Sequence, residues 1–201
     1  MSSDSISMEL IGSEEEAILN LVLKPLVEAY NIVKEGRDMV IKNENSITND
    51  LVKCLKNETS ISFLYQNRVI YIAMRPEEHD TTGGVYEPDI KFVVHDIVWV
   101  EIEAKRIYKE NDWSISKYFD KSDGIGRFLY KYSQNEDYGG MIAYIQNGNF
   151  QGIIERIRFK LLESSYKEFE AVDGIENSSL SFHHRTNRND IKIYHLFFYF
   201  S

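Results

Sequence analysis

Asp89, Glu103 and Lys105 are of the types that could hold a cation beside an anion, and they sit in two neighbouring extended segments. In the run Val98-Trp99-Val100-Glu101-Ile102-Glu103-Ala104-Lys105-Arg106, apolar and polar residues alternate. A period of two sends Val98, Val100, Ile102 and Ala104 to one face of a strand and Trp99, Glu101, Glu103 and Lys105 to the other. Upstream, Ile90, Phe92 and Val94 share one face, with Asp89 and Lys91 on the opposite one. If the two segments pair as a hairpin, apolar positions must oppose apolar positions. Val94 then faces Val98, Phe92 faces Val100 and Ile90 faces Ile102, around a loop His95-Asp96-Ile97 of common hairpin length. The same register sets Asp89 opposite Glu103, with β-carbons about 4.5–5.5 Å apart. Two carboxylates at that separation repel unless a cation lies between them. Lys105, two positions further on the same face, can reach the same point.

This set suits the hydrolysis of a phosphodiester, a reaction that adds negative charge to a group already anionic. Hard oxygen ligands hold Mg²⁺ or Mn²⁺ and leave positions open for water and phosphate oxygens. Such an ion can acidify water and offset developing charge, and a lysine adds a positive donor. The same alternation also describes an ordinary solvated strand face with cross-strand ion pairs.

Glu87-Pro88-Asp89, a strand-length gap and then Glu103-Ala104-Lys105 resemble the motif of the PD-(D/E)-x-K nuclease superfamily. The resemblance covers roughly residues 44–147, about half of the chain. It implies a restriction-endonuclease-like core: a helix, a three-stranded meander, a second helix and a further strand. It also implies that Asp89 and Glu103 bind Mg²⁺, or Mn²⁺, and that Lys105 assists water activation or charge stabilisation. An acid from the first core helix often joins such a site; Glu44 fits that place, with Asp50 as its rival. Glu101 is an extra acid on the same face, which either supports the ligands, is itself a ligand, or faces solvent. The activity implied is that of a Mg²⁺-dependent nuclease, most directly a DNA endonuclease, in restriction, antiviral defence, repair or mobile-element biology. The alternative is a catalytically inactive nuclease-like module that acts with a protein partner.

The elements that must position these residues follow from pattern. Ser13 and Glu16 form a capping box, and Ile18, Leu19, Val22, Leu26 and Tyr30 then recur at helical spacing over 13–35, with a kink or break expected at Pro25. A second helix is expected over 46–57 with Ser46 as N-cap and Ile47, Leu51, Cys54 and Leu55 as its apolar stripe. Aromatic and β-branched residues over 60–74 predict a strand, followed by a loop at EEHDTTGG. After the strands at 88–94 and 98–105 come a helix within 113–133, a buried strand at 140–146, an amphipathic helix over 150–169 and a strand at 191–200. This order predicts the α/β class, specifically an α+β mixed sheet with helices packed on it and added helices at both termini. Residues 1–43 are expected as a helical extension and 44–201 as the nuclease-type domain, within one domain overall.

The bulk numbers bound the function. The net charge of −9 disfavours a freestanding high-affinity nucleic-acid binder. The excess is concentrated early: residues 1–50 carry ten acidic and four basic residues, against 22 and 19 in the remainder. A protein partner or a homodimer could therefore supply affinity for DNA. The single Cys54 precludes an intrachain disulfide, and no signal-like or membrane-length apolar segment occurs, so a cytoplasmic protein with no membrane partner is expected. Arg127 and Lys131, at helical i, i+4 spacing, are candidate contacts for substrate phosphates, or else part of a solvated helix face. His183-His184-Arg185 read as a surface loop and His195 as a satisfied core histidine.

Overall fold

The computed structural model describes residues 12–36, 42–79, 84–94, 98–108, 112–132, 136–165, 167, 170–186 and 188–200. The predicted loop His95-Asp96-Ile97 lies outside them, as does the middle of the EEHDTTGG stretch. Helix α1 (Glu14–Ile18) opens on the Ser13–Glu16 capping box. It passes through a π-helical turn, Leu19–Leu23, into α2 (Lys24–Gly36). Pro25 explains the turn. A proline lacks an N–H and its ring collides with the carbonyl four residues back, so the helix widens there instead of stopping.

Helix α3 (Glu44–Asn57) starts two residues before the expected 46. Its N-cap is Asn43, whose side chain accepts from the Ser46 N–H. The shift makes Glu44 the first helical residue. Ile47, Leu51 and Leu55 are fully buried on the predicted stripe.

The predicted strand over 60–74 splits into a short helix, α4 (Ser62–Gln66), and strand β1 (Ile70–Met74). Composition favours extension throughout, but strand propensity reflects packing on a pleated surface. Among the described residues β1 pairs with β4 (Ile90–Val94) only from Ile70 onward, and the upstream residues bond locally, Tyr65 N–H to the Ile61 carbonyl and Asn67 N–H to that of Phe63. A two-stranded ribbon, β2 (Glu78–His79) with β3 (Val85–Tyr86), interrupts the predicted loop.

The main sheet continues with β4 (Ile90–Val94), β5 (Val98–Ile107), β6 (Tyr138–Gln146), β7 (Ser178–His183) and β8 (Ile191–Phe200), in the order β1-β4-β5-β6-β8-β7. Strands β1, β4 and β5 form an antiparallel meander; β5-β6 and β6-β8 are parallel; β7 returns antiparallel to β8. Between β5 and β6 lie two short helices, α5 (Asp112–Tyr118) and α6 (Gly126–Tyr130), where one helix was expected. Helix α7 (Phe150–Ser164) crosses from β6 toward β7.

The sheet separates two apolar clusters. On one face, Phe92, Val100, Ile102 and Tyr144 pack with residues of α1, α2 and α3. On the other, Ile107, Met141, Ala143 and Ile145 pack with Tyr118, Phe128, Ile153 and Ile157 of α5 to α7. Residues of α1 share a cluster with those of the meander, so the N-terminal helices complete the same core. Among the described residues no helix is long and apolar enough to cross a membrane.

Strand β7 was not legible, because Ser178, Ser179 and Ser181 resemble loop residues. It makes His183 a buried strand residue in place of the expected surface loop, while His184 stays exposed. A buried hydrogen-bond chain runs Tyr118–His195–Ser181–His183–Ser164. The Ser164 carbonyl can only accept, so His183 Nδ1 carries the proton and its Nε2 accepts from Ser181. Ser181 Oγ then accepts from His195 Nε2–H, and His195 Nδ1 accepts from the Tyr118 hydroxyl. Every group is satisfied only if both imidazoles are neutral. Burial holds them so: His183 is pushed down to about 4, and His195 is depressed by burial and by His183.

A neutral buried histidine stabilises the fold fully above its unfolded pKa of about 6.5, and that contribution is lost as pH falls toward the folded value. The stability difference between wild type and His183→Gln is therefore expected to narrow as pH drops from about 7 to about 4, by on the order of 3 kcal/mol. Urea unfolding of both proteins across that range measures it; a difference independent of pH would refute the neutral chain.

Candidate functional site

The predicted hairpin register is present: Ile90↔Ile102, Phe92↔Val100 and Val94↔Val98. It ends at Ile90↔Ile102, one step short of Asp89 and Glu103, while β5 continues to Ile107 paired only with β6. On the side that β4 leaves, backbone N–H groups of β5 need acceptors in a buried setting. Carboxylates provide them. Asp89 Oδ2 accepts from Ala104 N–H at 2.9 Å, and Glu44 Oε2 accepts from Arg106 N–H at 2.7 Å.

Each of these acids therefore has one oxygen committed to the fold and one directed at neighbouring cations. Asp89 Oδ1 lies 3.6 Å from Arg75 Nε, and Glu44 Oε1 lies 3.6 Å from Lys105 Nζ. Glu44 joins the cluster; its rival Asp50 pairs with Lys42 instead. Glu44 is held in place through Thr48. The Thr48 hydroxyl donates to the Glu44 carbonyl, so the Tyr144 hydroxyl, 3.0 Å away, must donate to Thr48 and tie the start of α3 to β6.

Glu103 is fully buried. Its Oε1 accepts from Arg127 Nη1 at 2.7 Å, and its Oε2 lies 3.3 Å from Lys105 Nζ. Lys105 is enclosed by Glu103, Glu44 and Asp123, the last at 3.4 Å. Arg127 is set by α6, whose Phe128 ring lies where a side chain on Gly139 of β6 would project. The strand residue Gly139 is thus the reason that α6 can sit so close to the sheet. Lys131 falls just past the end of α6 and turns to the Ser122 carbonyl, which Arg127 Nε also contacts.

With every carboxylate ionised, the cluster carries more negative than positive charge. Asp89, Glu103, Glu44 and Asp123 face Lys105, Arg127 and Arg75. Burial and the Asp89 charge push the Glu103 carboxyl up to about 8, against the pull of Lys105 and Arg127. Burial likewise raises Glu44, opposed by Lys105. Burial alone would lower Lys105, but Glu103, Glu44 and Asp89 overcome it and raise its pKa. Lys105 is therefore a firmly held cation, suited to stabilising an anion and unsuited to accepting a proton.

The donors fit a hard divalent ion. They are carboxylate oxygens with excess negative charge, at a cluster that reaches solvent through Glu44, Asp123 and Arg127, whose side chains are 29%, 45% and 23% exposed. Among the described residues no three acidic, histidine or cysteine side chains gather tightly enough to cage an ion. Mg²⁺ does not require that, since it keeps several waters and commonly takes one or two carboxylates.

Glu101, on the same face, belongs to a separate buried cluster. Its Oε1 accepts from the Tyr86 hydroxyl at 3.0 Å and lies 4.0 Å from Lys91 Nζ, which also pairs with Glu78 at 2.8 Å. Glu136 lies nearby; burial and Glu101 push it up to about 8. Sequence spacing indicated neither this second cluster nor the roles of Arg75 and Asp123. Ser181 and His195 are within hydrogen-bond distance but wholly buried, which bars them from acting as a nucleophile and base on an external substrate. No family model, curated protein or solved structure matches the chain.

The dual use of Asp89 makes its removal separable into two effects. Asp89→Ala would strand the Ala104 N–H, at a cost of about 1–3 kcal/mol, whereas Asp89→Asn keeps an acceptor there. In urea unfolding, Asp89→Ala is expected to be less stable than Asp89→Asn by at least about 1 kcal/mol; equal stabilities would show that the cap contributes nothing.

Proposed function

We propose that the protein is a Mg²⁺-dependent phosphodiesterase of the PD-(D/E)-x-K type, acting as a DNA endonuclease. The observation that carries this reading is the convergence of Asp89, Glu103, Glu44 and Lys105 at the end of β5, from two strands and a helix start. The order α3, the β1-β4-β5 meander, α5 with α6, and β6 parallel to β5 supports a restriction-endonuclease-like core.

In this reading Asp89 and Glu103 would hold the ion, with Glu44 as a further carboxylate of the site. The bound ion supplies Lewis acidity toward water and the phosphate. Lys105, kept positive by its acidic surroundings, donates to a non-bridging phosphate oxygen and offsets the charge that builds on it. Asp89 and Glu44 are kept in place by the N–H groups they cap, so the carboxylates need little reorganisation when substrate arrives.

A second reading rests on a specific contact. Both Glu103 oxygens already face side-chain cations, Arg127 and Lys105. A nuclease-like module that binds a protein partner, without catalysis, would keep such a satisfied ion-pair network.

Incubating the full chain with supercoiled plasmid separates the two. Nicking that requires Mg²⁺ or Mn²⁺, stops with a chelator and falls by at least about 100-fold in Lys105→Ala is expected for the enzyme. Cutting that survives Lys105→Ala would remove that lysine from the mechanism. Absence of both cutting and metal binding would favour the binding module.

A further inference from the structure

We infer that Arg127 is an exchangeable partner of the site: it pairs with Glu103 in the metal-free protein and transfers to a substrate phosphate when a divalent ion takes its place. This rests on the metal-site reading above and adds an order of events to it.

The two cations on Glu103 differ in how they are held. Lys105 is 6% exposed and ringed by three carboxylates, so it has nowhere to go. Arg127 is 23% exposed and stands at the rim. Apart from Glu103, it contacts the Glu87 and Ser122 carbonyls and the Tyr132 hydroxyl, each at 3.1 Å, and Asp123 at 3.6 Å. Those partners would keep the guanidinium near the site after it left the carboxylate. It rides on a helix of five residues, so a small shift suffices.

Charge balance points the same way. Glu103 must be ionised to hold a cation, and four carboxylates then face three side-chain cations. Adding a divalent ion while Arg127 stays gives a net positive site. Exchanging Arg127 for the ion brings Asp89, Glu103, Glu44 and Asp123 to neutrality with Lys105 and Arg75. The freed guanidinium is a planar fork that matches two phosphate oxygens. An anion at the rim would therefore help the ion to bind, and the ion would help the anion, as linkage requires.

The test is a calorimetric titration of the full chain with MnCl₂, comparing wild type with Arg127→Gln and Arg127→Met, alongside melting temperatures with and without Mn²⁺. Removing the competing guanidinium should tighten Mn²⁺ binding by on the order of tenfold. It should also lower the metal-free melting temperature, and Mn²⁺ should restore it further in the variants than in wild type. Variants that fold only with Mn²⁺ present would be the extreme form of the same result. Equal or weaker Mn²⁺ binding in the variants would overturn the exchange while leaving the metal site standing. Variants that fail to fold even with Mn²⁺ would make Arg127 a fixed structural residue and also overturn it. No Mn²⁺ binding in any of the three proteins would remove the metal site itself, and the exchange with it.

Discussion

The site depends on a mismatch in strand length. Strand β5 runs five residues beyond the point where β4 stops pairing with it, from Ile102 to Ile107. A buried strand cannot leave its N–H groups without acceptors. Here the acceptors are carboxylates, one from the residue that precedes β4 and one from the first residue of α3. The requirement to terminate a sheet edge thus gathers acids at one place, and Glu103 adds a third from β5 itself.

Gathering acids in a buried place is unfavourable without compensation. The fold supplies Lys105 from the same strand, Arg127 from α6 and Arg75 from the turn after β1. The compensation is incomplete, since burial and Asp89 still raise the Glu103 pKa. A structure built for stability alone would do as well with neutral acceptors capping the two N–H groups and apolar residues in place of Glu103, Lys105 and Arg127. The retained imbalance is the physical basis for reading the cluster as a place where a further cation is accommodated.

The opposite face of the same strands shows why the cluster is well fixed. Val98, Val100, Ile102 and Ala104 lie in the core with Ile47, Leu51 and Leu55 of α3. Slipping the β4–β5 register by one residue would turn this apolar row outward and bring the acids into the core. The packing that stabilises the sheet therefore also sets which side chains meet at its end. The Thr48–Tyr144 hydrogen bond extends that control to Glu44.

Alternation along 90–94 and 98–105, read against the need to match apolar faces, was enough to determine the hairpin register and to put Glu103 and Lys105 on one side. These are local facts, because a strand's period of two depends on backbone geometry alone. The extent of each strand was less legible. The segment 61–69 has strand composition but pairs with no strand among the described residues, and Ser178–His183 has loop composition yet is a strand because β8 lies beside it. Only the tertiary structure decided that Arg127 and Asp123 of the α5–α6 region, and Arg75 from the far side of the meander, close on the acids. It also decided that Glu101 faces a different cluster. Those meetings depend on where helices land on the sheet, here on Phe128 fitting over the bare backbone of Gly139. Packing of that kind couples residues far apart in the chain and leaves no period in the sequence.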